Sequence, residues 1–232
     1  MAPRLPEAVY RAALFVLPAA FAFLYVVTLL AVLSPEAWAV VYGGMTLYLL
    51  APVGTEIVIP IVVLGLQSLG APPAVLAIGI MSIPMVDVFA GLFIAWNWDL
   101  LERVPYLGGV VRHVERKCHD IIAKKRWGEG VTLTALAAYV ALPVQMTGGV
   151  FGSVLGRVMG IGKARVFAAV VAGSLLGAIP MGVLAVVIGP PLLDAFRSPT
   201  VQALSIAAGV LITAAFVVIV VVLYRRGKRN AD

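Results

Sequence analysis

Residues 49–66 read LLAPVGTEIVIPIVVLGL, an apolar run that holds one carboxylate, Glu56, midway between Pro52 and Pro60. An acid in the middle of a membrane span costs roughly 2.5–3.5 kcal/mol on insertion scales, and the run offers no basic partner one or two turns away. Proline lacks the N–H that a helix interior needs and biases the preceding residue away from helix. The two prolines therefore predict a break, with Gly54, Thr55 and Glu56 in a turn between two half-helices. Non-helical backbone at membrane depth is tolerated only against protein or a water-filled cavity. The stretch reads as the wall of a polar vestibule into which the acid points. Desolvation disfavours a charged carboxylate, so Glu56 is the expected proton carrier. A second reading keeps Thr55 as the cap of the following half-helix and Glu56 as the counter-charge to its positive end.

Composition sets that stretch in a membrane. The 232 residues are 62% hydrophobic and 12% charged, with a mean hydropathy of +1.06. A soluble domain carries about 25% charged residues, so this chain cannot cover a water-facing surface. Its formal charge of +6 lies in short basic blocks beside apolar runs. That pattern speaks against nucleic acid and for the orientation bias of membrane proteins and contact with anionic headgroups. The single cysteine, Cys118, excludes an internal disulfide.

The runs 12–33, 74–96, 166–189 and 201–224 are long enough to cross, since about 20 residues at 1.5 Å each span the hydrocarbon core. The first is too long for a signal-peptide core and reads as a retained span. The segments 37–53, 57–69, 131–142 and 144–160 are shorter, glycine-rich or bounded by proline. As a helix, 131–142 would reach about 18 Å against a core of about 30 Å. Two topologies share one parity: either every short segment spans, or 37–70 and 129–160 are hairpins that enter and leave on one side. Length favours re-entrant hairpins, one from each side. Arg4 and Arg11 precede the first span, YRRGKR (224–229) follows the last, and 99–128 is rich in Lys and Arg. Both termini and the 99–128 connector are therefore expected in the cytoplasm of a multi-pass plasma-membrane protein. Within that connector, residues 108–125 have the spacing of an amphipathic interfacial helix or of an ordinary packed connector.

An internal repeat agrees with the hairpins. APVGTEIVIPIVVLG (51–65) and LPVQMTGGVFGSVLG (142–156) share Pro-Val near the start and Leu-Gly at the end, and SIPM (82–85) and AIPM (178–181) follow at nearly matching distances. The expected fold is a single all-α membrane domain over 1–232. It is an inverted repeat of re-entrant hairpin plus transmembrane helix, flanked by further spans, an architecture known among transporters. Chance agreement between alanine-, valine- and glycine-rich stretches competes with it.

At the second break, Gln145 and Thr147 offer uncharged hydrogen-bonding groups, and Gly148 with Gly149 permits close backbone approach. The alternative is small-residue helix packing. Asp87, in SIPMVDVFAG, is the other acid deep in an apolar run. It is either an auxiliary proton site or a structural acid that caps or bonds a neighbouring helix. Arg157, Lys163 and Arg165 end the second hairpin, as helix anchors at the headgroups or as ligands of a phosphate head. His113, Cys118 and His119 lack the spacing and the fourth ligand of a metal site. No Walker lysine accompanies the glycines, and Ser153 and Ser174 sit in helix-packing contexts. No cofactor and no enzymatic chemistry are expected.

GTEIVIPIVVLGLQSLGAP (54–72) and LPVQMTGGVFGSVLGRVMGIGKARVFAAVVAGSLLGAIPMG (142–182) resemble the small multidrug export proteins, relatives of the DedA/VTT membrane proteins. The resemblance covers roughly residues 45–190. It rests on an acid shortly before a proline, Glu56 and Pro60, and on a second hairpin with Pro143, Thr147 and Gly148. It implies two opposed re-entrant hairpins meeting at the bilayer midplane. It also implies proton-linked movement of lipids or polyprenyl-phosphate carriers between leaflets, with the acidic roles at Glu56 and Asp87. DedA proteins proper place arginines near the second break, where this chain has Gln145 and Thr147.

The function expected is proton-linked translocation of a lipid, a polyprenyl-phosphate-like amphiphile or a small amphipathic export substrate. Glu56 and Asp87 would carry protons. Gly54, Thr55, Pro60, Pro143, Gln145, Thr147, Gly148 and Gly149 would line the path, and Arg157, Lys163 and Arg165 would meet headgroups. The partners are membrane lipids, anionic or polyprenyl-phosphate lipids among them, and protons. An uncoupled scramblase or membrane-shaping scaffold is the alternative. A weaker one is an ion channel, in which a homo-oligomer would supply the array of acids.

Overall fold

A computed structural model describes residues 7–51, 53–98, 128–144 and 147–229. The described residues are all-helical, in the order α1 (Glu7–Val32), α2 (Pro35–Leu50), α3 (Thr55–Ser68), α4 (Pro73–Trp96), α5 (Gly128–Ala141), α6 (Gly149–Val158), α7 (Lys163–Ile188), α8 (Pro190–Arg197) and α9 (Pro199–Arg229). The 99–127 part of the connector, with His113, Cys118 and His119, lies outside the described residues, as do Pro52 and Gln145.

Among the described residues, three helices are long and apolar enough to cross a bilayer: α1 over Ala12–Val32, α4 and α7. A fourth crossing is available if α8 and the first half of α9, bent by 68° where they meet, act as one span. The chain is a multi-pass membrane protein. Its surface agrees, for Phe23 on α1, Leu176 and Val187 on α7 and Leu211 on α9 are all more than 60% exposed, as lipid-facing side chains are. The other helices are short. At 1.5 Å per residue α3 and α6, with 14 and 10 residues, reach about 21 and 15 Å, well under the hydrocarbon thickness of about 30 Å.

The chain passes through the same sequence of local events twice. Each short pair opens where a proline follows the end of a helix. The N–H of Val53 bonds the carbonyl of Ala51, and the N–H of Val144 bonds that of Leu142, both at 2.8 Å. Each second half-helix starts at a glycine N-cap with no side-chain cap, Gly54 for α3 and Gly148 for α6. Each closes in a Schellman turn. Ala71 N–H reaches Leu66 O and Gly70 N–H reaches Gln67 O after α3; Ile161 N–H reaches Gly156 O and Gly160 N–H reaches Arg157 O after α6. Gly70 and Gly160 carry the positive φ, 67° and 76°, which that turn requires and glycine supplies without a Cβ penalty. A long helix follows in each case, with Pro84 inside α4 and Pro180 inside α7.

Packing repeats as well. α3 lies against α2, α4 and α7, and α6 lies against α5, α7 and α4, so each short helix touches its own following helix and that of the other unit. The first unit's core runs through Val41, Val58, Val62, Leu66 and Ile83, reaching Ala178 of α7. The second core is built from Leu136, Tyr139, Val140, Val166 and Val170.

One expectation is corrected. Gly54, Thr55 and Glu56 do not form a turn between prolines: the break is 51–54, and Thr55 and Glu56 already belong to the first turn of α3. Pro60 does not interrupt that helix. At its sixth position, proline only withholds an N–H from the carbonyl of Glu56, a local loss, while Ile57, Val58 and Ile59 are buried and hold the helix together. Thr55 is the first helical residue, so it is not the cap.

Candidate functional site

The two breaks open onto one cavity of about 470 Å³. Its lining includes Gly54 from the first break, Val144 and Gly148 from the second, Tyr48 of α2, Asp87 of α4 and Phe151 of α6. An apolar chamber with a few convergent polar groups is the usual form of a small-molecule site.

Asp87 is 5% exposed and bonded at both oxygens. Its Oδ1 accepts from the backbone N–H of Gly149 at 2.7 Å and from the Tyr48 hydroxyl at 3.1 Å. Its Oδ2 accepts from the same hydroxyl at 3.0 Å and from Ser174 of α7 at 3.1 Å. The acid thus ties α2, α4, α6 and α7 together and caps the positive end of α6 from another helix. Such a cap demands close approach. A Cβ on Gly149 would stand 2.6 Å from the backbone oxygen of Asp87, so only glycine fits there.

Glu56 is 1% exposed and arranged otherwise. Its carboxylate folds back over Gly54, into the space a Cβ would take, and accepts from its own backbone N–H. It thereby neutralises the positive end of its own helix. Oε1 also accepts from Ser205 of α9 at 3.2 Å, and Oε2 has no hydrogen-bond partner among the described residues. Tyr48 stands within electrostatic reach of both acids. Gly54 therefore separates the Glu56 carboxylate from the cavity. The chemical contrast between the acids follows directly. A proton can be added to Glu56 at Oε2 without disturbing a bond among the described residues, whereas at Asp87 both oxygens already accept and a proton there requires Tyr48 or Ser174 to reorient.

The other sequence-selected residues scatter. Gly148 lines the cavity, and Gly149 lies beneath Asp87. Thr147 is buried, but its hydroxyl donates to Leu142 O at 2.8 Å and Val144 O at 2.7 Å, holding its own loop in shape. Pro60 is buried in the first core and Pro143 is exposed. Arg157 donates to Ile161 O at 2.9 Å and sits over the Trp98 ring at 5.7 Å; Lys163 sits over Trp96, also at 5.7 Å. Arg165 is exposed in the first turn of α7. These three cluster where α6 gives way to α7, beyond the far end of α6 from the cavity. Among the described residues no set of three His, Cys, Asp or Glu is placed to hold a metal.

Sequence reasoning missed Tyr48 and Ser205 and read Ser174, which donates to Asp87, as a helix-packing residue. Tyr48 carries a weak signal, a hydroxyl in an apolar run three residues before the break. Ser174 and Ser205 carry none, lying 87 and 149 residues from their acids.

A family model described as "Putative small multi-drug export protein" matches residues 51–179, more than half of the 232-residue chain. The chain belongs to that family. The part shared with the small multi-drug export family starts at the first break and ends within α7, so it contains both breaks, both acids, Gly149 and Ser174. Helices α1, α2, α8 and α9 fall outside it, and with them Tyr48 and Ser205. No curated protein and no solved structure matches the chain.

Proposed function

We propose that the protein is a proton-linked transporter of an amphiphile: a lipid, a polyprenyl-phosphate-like carrier or a small amphipathic export substrate. The observation that carries this reading is the pair of helix breaks sharing one cavity, with a buried carboxylate just behind the wall whose Oε2 has no partner among the described residues. In this reading α2–α3 and α5–α6 are re-entrant hairpins from opposite faces, and with α4 and α7 they form an inverted repeat. Both termini are cytoplasmic in the plasma membrane, as the basic flanks suggest. Glu56 takes up and gives off the proton, Tyr48 stands between the acids, and Asp87 holds the wall in place. Family membership supports export as the type of process, and the cavity supports an amphiphilic cargo.

The test is reconstitution into liposomes that carry a pH-sensitive dye inside and a fluorescent phospholipid or amphiphilic dye as cargo. An imposed pH gradient should change the initial rate of cargo movement, and cargo added without a gradient should move protons. Glu56→Gln should abolish both while the protein still inserts and remains monodisperse. Full proton linkage in that variant refutes the assignment. Cargo movement indifferent to the gradient in the unaltered protein would instead make it an uncoupled scramblase.

A further inference from the structure

We propose that the cavity at the two breaks and the groove beside it form one site for a single-chain amphiphilic cation, with the headgroup at Tyr48 and Asp87 and the chain between α1, α2 and α4. The inference rests on the transport reading above and narrows its cargo by charge and shape.

Charge decides the headgroup. The sequence contains no Lys, Arg or His at 12–102, 127–156, 166–196 or 198–224, so every described helix that walls the cavity is free of bases over its apolar length. Two helix N-termini do point at the chamber, those of α3 and α6, and each is worth about half a positive charge. Both places are already taken by the chain's own carboxylates, Glu56 on the first and Asp87 on the second. With both acids ionised, about one net negative charge is left beside the cavity. An anionic head would have to displace a built-in carboxylate, while a cation finds Asp87 and two aromatic residues, Tyr48 and Phe151, in the lining.

Shape decides the tail. A second, apolar cavity of about 320 Å³ lies between α1, α2 and α4, lined among others by Pro18, Ala22, Phe89 and Phe93. Leu49, Val86 and Ala90 line both cavities, so the two are neighbours across one layer of side chains. Each volume falls within the range of about 300–1,000 Å³ that holds small molecules. In this proposal the alkyl chain of a headgroup held in the first chamber runs over Val86 and Ala90, which the two cavities share, into the second, along the α1 face.

The experiment is equilibrium binding to the full chain in phosphatidylcholine nanodiscs, with empty nanodiscs subtracted, using decyltrimethylammonium, decyl phosphate and decyl maltoside. The cation should bind at least about tenfold tighter than either of the others. Butyltrimethylammonium should bind at least about tenfold weaker than the decyl compound, and Ala22→Phe, which fills the groove, should remove that dependence on chain length. Asp87→Asn should erase the preference for the cation; if that variant does not fold, the headgroup series on the unaltered protein decides alone. Equal or tighter binding of the phosphate or the maltoside overturns the charge assignment, and chain length without effect overturns the groove. No gradient is present in this measurement. Its failure leaves proton-linked transport standing, and its success does not depend on turnover.

Discussion

The break at 51–54 brings its own acid, whereas the break at 142–148 borrows one from α4. Both open with a Val N–H bonded across a proline and both end in a Schellman turn, so the difference lies between those points. Three more residues stand in the second break, and the half-helix after it is shorter, 10 residues against 14. With no acid of its own in the first turn, α6 presses its N-terminus on α4 until Gly149 N–H meets Asp87. The first unit keeps Glu56 at the second position of α3, where the side chain can curl back over Gly54. Cross-helix capping fixes an acid with donors at both oxygens. Capping in cis leaves one oxygen over. The second break thus fixes its acid at both oxygens, and the first leaves one oxygen without a donor among the described residues.

The largest expected effect is at the borrowed acid. Asp87→Ala leaves the Gly149 N–H, Tyr48 and Ser174 without their acceptor and should cost about 3–5 kcal/mol, since each buried donor left unsatisfied costs about 1–3 kcal/mol. Thermal melting in detergent and the yield of monodisperse protein measure it. Glu56→Ala should cost far less stability, since Ser205 and one backbone N–H are the donors it leaves. Equal losses at the two sites would erase the division between them.

Gly149→Ala should follow in size. The new Cβ meets backbone, which cannot rotate away, so α6 must back off α4 at a cost of about 1–3 kcal/mol. Gly54→Ala makes the opposite case. Its Cβ takes the space of the Glu56 carboxylate, the mobile end of a side chain, so stability should fall by less than about 1.5 kcal/mol while proton-linked transport drops sharply. Melting and liposome flux on the same two variants separate fold from function; a Gly54→Ala protein with intact flux would show that the carboxylate's resting place is irrelevant.

Part of this organisation is legible in the chain before any coordinates. The long apolar helices follow from hydropathy and length, and the short pairs from proline and glycine positions, because both depend on residues close in sequence. The chemistry at Glu56 is half legible: an isolated acid in an apolar run announces itself, but that Pro60 stays inside the helix depends on burial of Ile57, Val58 and Ile59, which only packing decides. Asp87 could be read either as a proton site or as a cap, and the choice turns on an N–H 62 residues away. Thr147, polar and next to two glycines, looks like a lining group, yet its hydroxyl is spent on carbonyls of its own loop.

The smallest effect is expected at Ser205, and it sharpens the contrast most finely. Among the described residues Ser205 is the one side chain that donates to Glu56, and it comes from α9, outside the stretch shared with the family. α9 is held across both units by that bond and by Thr213 meeting the Tyr139 hydroxyl of α5 at 3.1 Å. Ser205→Ala removes one hydrogen bond to a carboxyl group and should lower stability by only about 0.5–1.5 kcal/mol. Its signature lies in reactivity. With Oε1 released, the Glu56 carboxyl should be modified faster by a hydrophobic carbodiimide, which attacks protonated carboxyl groups in apolar surroundings, while Asp87, bonded at both oxygens, should stay unmodified. Mass spectrometry of the two peptides reads both sites in one sample. Equal labelling of Glu56 with and without Ser205 would mean that α9 does not restrain the acid, and labelling of Asp87 at a similar rate would mean that its three donors do not set it apart.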